Sequence, residues 1–191
     1  MTSPDSIKID QHLTEARGII RRYAIVNGFD GALTMLGLLS GFMLSGGAPL
    51  PTVIAACVGA AVALGVSGLT SAYLSESAER QRSLAELESA MIADLRGSDH
   101  ARVAKQLPWL VAIVNGTSPV LVSLLILGPL WLAQAGISLP LEPLLVAILA
   151  AFTCIFGLGA FLGRVAGTSW LISGIKTLLI ALATMVLILA L

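Results

Sequence analysis

The sequence predicts an all-α integral membrane protein with five transmembrane helices. Hydrophobic residues make up 57% of its 191 residues and charged residues only 12%, whereas a soluble domain carries about 25% charged residues. Five stretches stay apolar for long enough to cross the core of a bilayer, which needs about 20 helical residues. Because lipid offers no hydrogen bonds to the backbone, runs this continuously apolar are expected to be helices and not barrel strands.

The predicted spans are residues 23–45, 53–74, 110–133, 144–162 and 171–191. Inside them, only Asp30 and Lys176 carry a formal charge. Trp109, Trp131 and Trp170 fall at span ends, where aromatic side chains favour the membrane–water interface. The apolar composition excludes an intrinsically disordered chain, and a total of two cysteines excludes a disulfide-framed secreted domain.

The positions of the basic residues predict the orientation of the chain in the membrane. They are Lys8, Arg17, Arg21, Arg22, Arg80, Arg82, Arg96, Arg102, Lys105, Arg164 and Lys176. The connections at 46–52 and 134–143 contain no Lys or Arg. The positive-inside rule therefore predicts a cytoplasmic N-terminus and an external C-terminus, in the plasma membrane if the source is prokaryotic. The net charge of zero implies no nucleic-acid partner.

These boundaries divide the chain into five predicted segments. They are a cytoplasmic N-terminal helix (1–22), a first transmembrane hairpin (23–74), a cytoplasmic acidic extension of the second helix with its linker (75–108), a second hairpin (109–163) and a fifth helix (164–191). In the first segment, Ile9, Leu13, Ala16 and Ile20 repeat at helical spacing, which predicts an amphipathic helix on the membrane surface. Pro108 is expected to end a short helix over residues 99–106.

The two hairpins are related in sequence. Residues 24–28 (Ala-Ile-Val-Asn-Gly) open the first span, and residues 112–116, with the same sequence, open the third. Residues 68–74 of the second span match residues 157–162 of the fourth with a one-residue gap. Because the first and third spans run in the same direction, this pattern predicts a parallel repeat, with chance similarity in an apolar chain as the alternative. Gly159 and Gly163 have the spacing of close helix packing, within the chain or at a dimer seam.

The continuation of the second helix carries a candidate metal site. Without Pro or Gly before Gly97, the helix is expected to continue into the cytoplasm. Its carboxylates share roughly an 80° arc: Glu76, Glu79, Glu86 and Asp94. One interpretation is a solvated face balanced by neighbouring arginines. The other is an oxygen-rich site for a divalent cation, with Met91 or His100 as a softer ligand.

Inside the membrane, Asp30 is the main functional candidate. A carboxylate at that depth costs about 2.5–3.5 kcal/mol on insertion scales, so a functional role is the default interpretation. Asn27, Asp30 and Thr34 are spaced to share one helix face, and Asn115 is a polar position of the third span. An ion pair with Lys176 is the structural alternative. The chain contains no metal-hydrolase, nucleophile-elbow or nucleotide-binding motif, so we do not expect an enzyme.

Several motifs in order along the chain resemble the vacuolar iron transporter family. Residues 21–34 (RRYAIVNGFDGALT) are similar to its first-helix signature, in which an Asp-Gly-Leu-Thr run opens the helix. Tyr73-Leu74 followed by Glu79 is similar to the end of its second helix, and residues 157–180 to its passage from the fourth helix to the fifth. The chain looks like a short prokaryotic branch without the full cytoplasmic metal-binding domain. Where the family's second helix typically carries Glu and Met, this chain has Ala60 and Gly68.

The resemblance implies a homodimeric transporter that moves Fe²⁺ or Mn²⁺ out of the cytoplasm in exchange for protons. Asp30 would match the pore aspartate of the family. Glu79, with Glu76 and Glu86, would match glutamates that collect the metal. The metal ion would be the substrate, and no tightly bound cofactor is expected. The alternative is a membrane metal sensor or scaffold that does not transport.

Overall fold

A computed structural model describes residues 4–46, 48–91 and 99–190. Within these residues the protein is all-helical and has no strand. The helices are α1 (Pro4–Leu44), α2 (Leu50–Met91), α3 (Asp99–Gln134), α4 (Pro143–Val165) and α5 (Trp170–Leu189). Each contains a segment long and apolar enough to cross a membrane. The five apolar helices confirm the predicted number of spans and fit a multi-pass membrane protein.

The first three helices are longer than the spans that they contain. α1 runs without a break from Pro4 to Leu44, so the predicted N-terminal helix and the first span form one helix. The placement of its first part on the membrane surface stays a prediction. α2 is helical to Met91, beyond the predicted span end at residue 74. Asp94 and Gly97 lie outside the described residues.

The expected helix end at Pro108 is wrong, because α3 continues through this proline. Proline removes one helical hydrogen bond and usually kinks or ends a helix. Here the Pro108 side chain is fully buried, and packing of this kind allows prolines to persist within membrane helices. The burial of Pro108 therefore outweighs its local preference to end a helix.

Three of the helix connections begin with a glycine at positive φ, namely Gly46, Gly136 and Gly167. The left-handed conformation that these angles represent is accessible to glycine without a steric penalty. After α3, the N–H of Ile137 donates to the Leu132 carbonyl at 3.0 Å, and after α4 the N–H of Thr168 donates to the Gly163 carbonyl at 2.9 Å. These bonds satisfy carbonyls that the helix ends would otherwise leave unpaired.

The chain forms two compact units, and α1, α2 and α3 each contribute to both. Unit 1 contains residues 1–24 and 66–117, and unit 2 contains residues 25–65 and 118–191. The core of unit 2 is mainly apolar and also buries the side chains of Ser40 and Ser123. Its largest fully buried side chains are Met35, Leu36, Leu39, Val53, Ile126, Leu127, Leu130, Ile148 and Ile155. Unit 1 has a smaller core in which Ala72, Val111 and Ala112 pack against aromatic and aliphatic neighbours.

In unit 2, α4 and α5 approach each other closely through glycines. Gly159 faces the side chain of Thr177, and a Cβ at Gly163 would lie 2.6 Å from the Ser173 hydroxyl. The Thr177 hydroxyl donates to the Ile155 carbonyl of α4 at 3.2 Å. Of the two alternatives for Gly159 and Gly163, the structure shows packing within the chain. Small residues serve this purpose in membrane helices because they let two backbones come together.

Candidate functional site

Asp30 lies on the surface of unit 2, within the apolar segment Ile20–Leu44 of α1. Its side chain is exposed and forms no hydrogen bond or ion pair with any other residue that the structure describes. Lys176 of α5 is also exposed and does not pair with it. A single chain therefore provides no counter-charge for this carboxylate in the described residues, and the predicted alternative of an Asp30–Lys176 ion pair is absent.

The two glycines beside Asp30 bring α1 close to other helices of unit 2. A Cβ at Gly31 would lie 2.6 Å from the carbonyl oxygen of Pro119, and a Cβ at Gly28 would lie 3.3 Å from the side chain of Leu158. Both glycines are buried. Residue 31 is therefore packed on the backbone of α3 while the preceding residue, Asp30, is exposed. The close contact between Gly31 and α3 therefore leaves the Asp30 side chain exposed on the surface of unit 2.

Gly31 and Pro119 occupy equivalent positions of the predicted repeat. Each follows the last glycine of the Ala-Ile-Val-Asn-Gly sequence by three residues. A contact between equivalent positions is what a two-fold relation between α1 and α3 would produce, and the repeat itself stays a prediction. The positions before them differ in charge, because Asp30 corresponds to Ser118. At this pair of equivalent positions, only the first repeat carries an acidic residue.

The other predicted pore residues fall into two groups. Asn27 and Thr34 are half-buried on α1, at three residues before and four residues after Asp30. The Thr34 hydroxyl forms no hydrogen bond with another described residue, which leaves its oxygen available to a ligand. Asn115 belongs to unit 1, where it is buried and its amide nitrogen donates to the Gly68 carbonyl at 2.6 Å. Its participation in a site with Asp30 stays a prediction.

Gly68 of α2 lies close to the backbone of α3. A Cβ at this position would lie 3.0 Å from the Asn115 carbonyl oxygen, which is closer than most such contacts in proteins. A side chain at residue 68 would therefore require its neighbour on α3 to shift by a few tenths of an ångström.

The glutamates in the part of α2 that continues beyond its predicted span are exposed or form ion pairs with arginines. The guanidinium of Arg80 donates to the Glu76 carboxylate at 2.8 Å, and Arg82 donates to the Glu86 carboxylate at 2.9 Å. Glu79 is exposed, as is Met91. No group of three His, Cys, Asp or Glu residues suited to a metal ion occurs in the described residues. The arginine partners favour the solvated-face interpretation for Glu76 and Glu86, and metal binding by this helix stays a prediction.

A cavity of about 370 Å³ that the sequence does not predict lies between α2 and α3 in unit 1. At one end the rings of Tyr73 and Trp109 stack with their centroids 4.5 Å apart. The other end contains Ser77, Gln81 and Lys105. On each helix the spacing of these residues predicts that they share one face, but the sequence does not indicate that the two faces meet. From the sequence alone, Trp109 indicates a membrane–water interface and Lys105 indicates the orientation of the chain.

No family model and no solved structure matches the chain. An uncharacterized protein of Methanocaldococcus jannaschii, MJ0645, is 30% identical to it over 169 residues. The matched region covers 87% of this chain and 85% of MJ0645, so the similarity is not confined to one motif. The chain belongs to the same family as MJ0645.

Proposed function

We propose that the protein exports Fe²⁺ or Mn²⁺ from the cytoplasm in exchange for protons. The observation that carries the proposal is Asp30, an exposed carboxylate without a partner in the described residues of its own chain, on a membrane-crossing helix. An ionised carboxylate facing hydrocarbon costs several kcal/mol, and such residues mark ion and substrate pathways. The resemblance of residues 21–34 to the vacuolar iron transporter signature supports a transition metal as the substrate.

The chemistry of one carboxylate suggests how metal and proton exchange. A proton and a divalent cation compete for the carboxylate of Asp30, because a metal ion is bound by the deprotonated form. The oxygens of Asn27 and Thr34 share the face of α1 with Asp30 and add two neutral ligands of the kind that Fe²⁺ and Mn²⁺ accept. A proton and a metal ion therefore cannot bind the two carboxylate oxygens of Asp30 at the same time.

A second copy of the chain would complete this site. One helix face supplies a single negative charge and three oxygen-bearing side chains, whereas octahedral cations take about six ligands. A homodimer with the two α1 faces opposed would present two Asp30 carboxylates to one divalent cation and so balance its charge. Covering the exposed Asp30 in this way would also remove the penalty of a carboxylate facing lipid.

The remaining predicted features form part of the same proposal. From the positions of the basic residues we propose that the N-terminus lies in the cytoplasm and the C-terminus outside, in the plasma membrane if the source is prokaryotic. The two related hairpins form the transmembrane body, and α2 extends into the cytoplasm. On this extension Glu76, Glu79 and Glu86, with Met91, gather the metal before it enters the pore. Exposed ion pairs contribute only about 0–1 kcal/mol, so a divalent cation can displace Arg82 from Glu86.

The test is metal flux in proteoliposomes with and without a pH gradient. Wild-type protein is expected to move Fe²⁺ and Mn²⁺, and an opposing proton gradient is expected to accelerate the flux. Asp30→Asn keeps the shape of the side chain but cannot exchange a proton, so we expect its flux to be abolished. Glu142→Gln is the matched control, because it removes an exposed carboxylate from the α3–α4 connection.

Three outcomes would contradict the proposal or part of it. An Asn variant that transports at the wild-type rate, with unchanged pH dependence, would exclude Asp30 as the coupling residue. Metal binding by the wild-type protein without any flux would identify the alternative, a metal sensor or scaffold. Replacing Glu76, Glu79 and Glu86 together with Gln is expected to weaken metal binding measured by calorimetry, because three anionic ligands are lost. Unchanged affinity would return these residues to a solvated helix face.

A further inference from the structure

The cavity between α2 and α3 in unit 1 has an apolar part and a polar part. Tyr73 and Trp109 stack in the first part, with an angle of 43° between their rings. Ser77 and Gln81 line the second part from α2, one and two helical turns beyond Tyr73, and Lys105 lines it from α3. Lys105 and Trp109 are four residues apart on one face. Each of the two helices therefore contributes one aromatic residue to the apolar part of the cavity and at least one polar residue to the polar part.

The charge of the cavity favours an anion. Lys105 is exposed and forms no ion pair or hydrogen bond with another described residue. The lining contains no acidic side chain, so its formal charge is that of the single lysine. Ser77 and Gln81 contribute neutral hydrogen-bond donors, and their mutual contact is long at 3.4 Å. A metal ion would lack an anionic ligand here, whereas an anion would meet one cation and two donors.

The position of the cavity along α3 favours a lipid over a soluble anion. Lys105 lies five residues before the predicted third span at 110–133, and tyrosine and tryptophan rings concentrate at the level of the lipid headgroups. Pro108 and Leu84 also line the cavity with apolar side chains. A free inorganic anion would leave this surface unused, while the glycerol and first acyl carbons of a phospholipid would cover it.

We propose that this cavity binds the phosphate headgroup of an anionic phospholipid. Lys105 pairs with the phosphate, Ser77 and Gln81 donate hydrogen bonds to it, and the Tyr73–Trp109 pair packs against the glycerol region. The volume of about 370 Å³ falls within the range of about 300–1,000 Å³ typical of small-molecule sites. Basic pockets between membrane helices recognise lipid headgroups by this combination of charge and depth. The site is independent of metal transport.

Lipid binding to the purified full-length protein tests the proposal. The probes are dioleoylphosphatidylglycerol, dioleoylphosphatidylcholine and inorganic phosphate, titrated into delipidated protein in detergent and followed by native mass spectrometry and thermal shift. We expect the phosphatidylglycerol to bind more tightly than the phosphatidylcholine. Lys105→Gln is expected to weaken that binding about fivefold, since one basic residue near a membrane surface contributes about 1 kcal/mol. Lys105→Arg is expected to retain it.

Lys176→Gln is the matched control, because it removes one exposed lysine from α5, outside the cavity. Trp109→Leu tests the apolar part and is expected to weaken the binding of phosphatidylglycerol while circular dichroism shows an intact helical fold. Equal affinity for the two lipids, or equal weakening by Lys105→Gln and Lys176→Gln, would overturn the proposal. Inorganic phosphate that competes at the same concentration as the lipid would also overturn it, since the apolar part would then contribute nothing.

Discussion

The first and third predicted spans open with the same five residues, 24–28 in α1 (the α1 opening) and 112–116 in α3 (the α3 opening), but their surroundings differ. Asn27 is half-buried in unit 2, whereas Asn115 is buried in unit 1 and its amide is bonded to the Gly68 carbonyl. Three residues after each asparagine, Asp30 is exposed without a partner in the described residues, while Ser118 is half-buried and has an interaction partner. The shared asparagine is therefore more buried at the α3 opening, and only the α1 opening is followed by an exposed charge.

The contact between Gly31 and Pro119 shows how the two openings depend on each other. Glycine at residue 31 makes room for the carbonyl of Pro119, 2.6 Å from where a Cβ would lie. Proline at residue 119 lacks the N–H that a regular helix would donate to the Asn115 carbonyl, whereas Gly31 has this N–H for Asn27. Of these two equivalent positions, residue 31 is thus glycine, whose backbone is the least restricted, and residue 119 is proline, whose backbone is the most restricted.

The largest expected effect concerns the acid that follows only the α1 opening. Replacing Asp30 with Ser, the residue at the equivalent position 118, is expected to abolish metal flux, because the substrate loses its charged ligand. Adding Ser118→Asp to this variant is not expected to restore flux, since Ser118 is half-buried and already has an interaction partner. Calcein quenching in proteoliposomes measures both variants, with Ser118→Ala as the control that retains flux. Full recovery in the double variant would show that the two openings are interchangeable.

The next effect concerns the glycines that pack α1 in unit 2. Gly31→Ala is expected to lower the free energy of unfolding by about 1–3 kcal/mol, because its Cβ meets the backbone of Pro119. Gly28→Ala is expected to be milder, since the flexible end of Leu158 can move. Gly41→Ala, where a Cβ meets nothing within 4 Å, is the control and is expected to be neutral or to stabilise by up to about 1 kcal/mol. Equilibrium unfolding in mixed micelles measures all three, and equal losses at positions 31 and 41 would contradict the close contact.

The smallest expected effect compares the two asparagines. Asn115→Ala removes a buried interhelical hydrogen bond and is expected to destabilise the protein by about 0.6–2 kcal/mol. Asn27→Ala is expected to lose less, because the Asn27 side chain is only half-buried. The same unfolding measurement on both variants tests this order. A larger loss at Asn27 would show that the α1 opening, and not the α3 opening, makes the stronger polar contact.

Local sequence was sufficient to predict the number of helices and the approximate spans. Each span is a continuous apolar run, and the backbone of such a run can satisfy its own hydrogen bonds only as a helix in lipid. The prediction failed at Pro108, because a local rule for ending helices does not account for the burial of that side chain. It also left Asp30 with a choice between a lysine partner and a functional role, since helix pairing cannot be read from spacing along one helix.

The sequence by itself determined which segments are apolar, where the charges interrupt them and which residues share a helix face. Those properties depend on hydropathy and on the 3.6-residue period of the helix. Only the tertiary structure decided that Asn115 bonds to Gly68, that Gly31 meets Pro119, and that Tyr73 and Trp109 line one cavity. Each of these contacts joins residues from different helices, and small differences in side-chain volume select among many possible helix pairings. For that reason, the surroundings of Asp30 and Lys105 followed from packing and not from pattern.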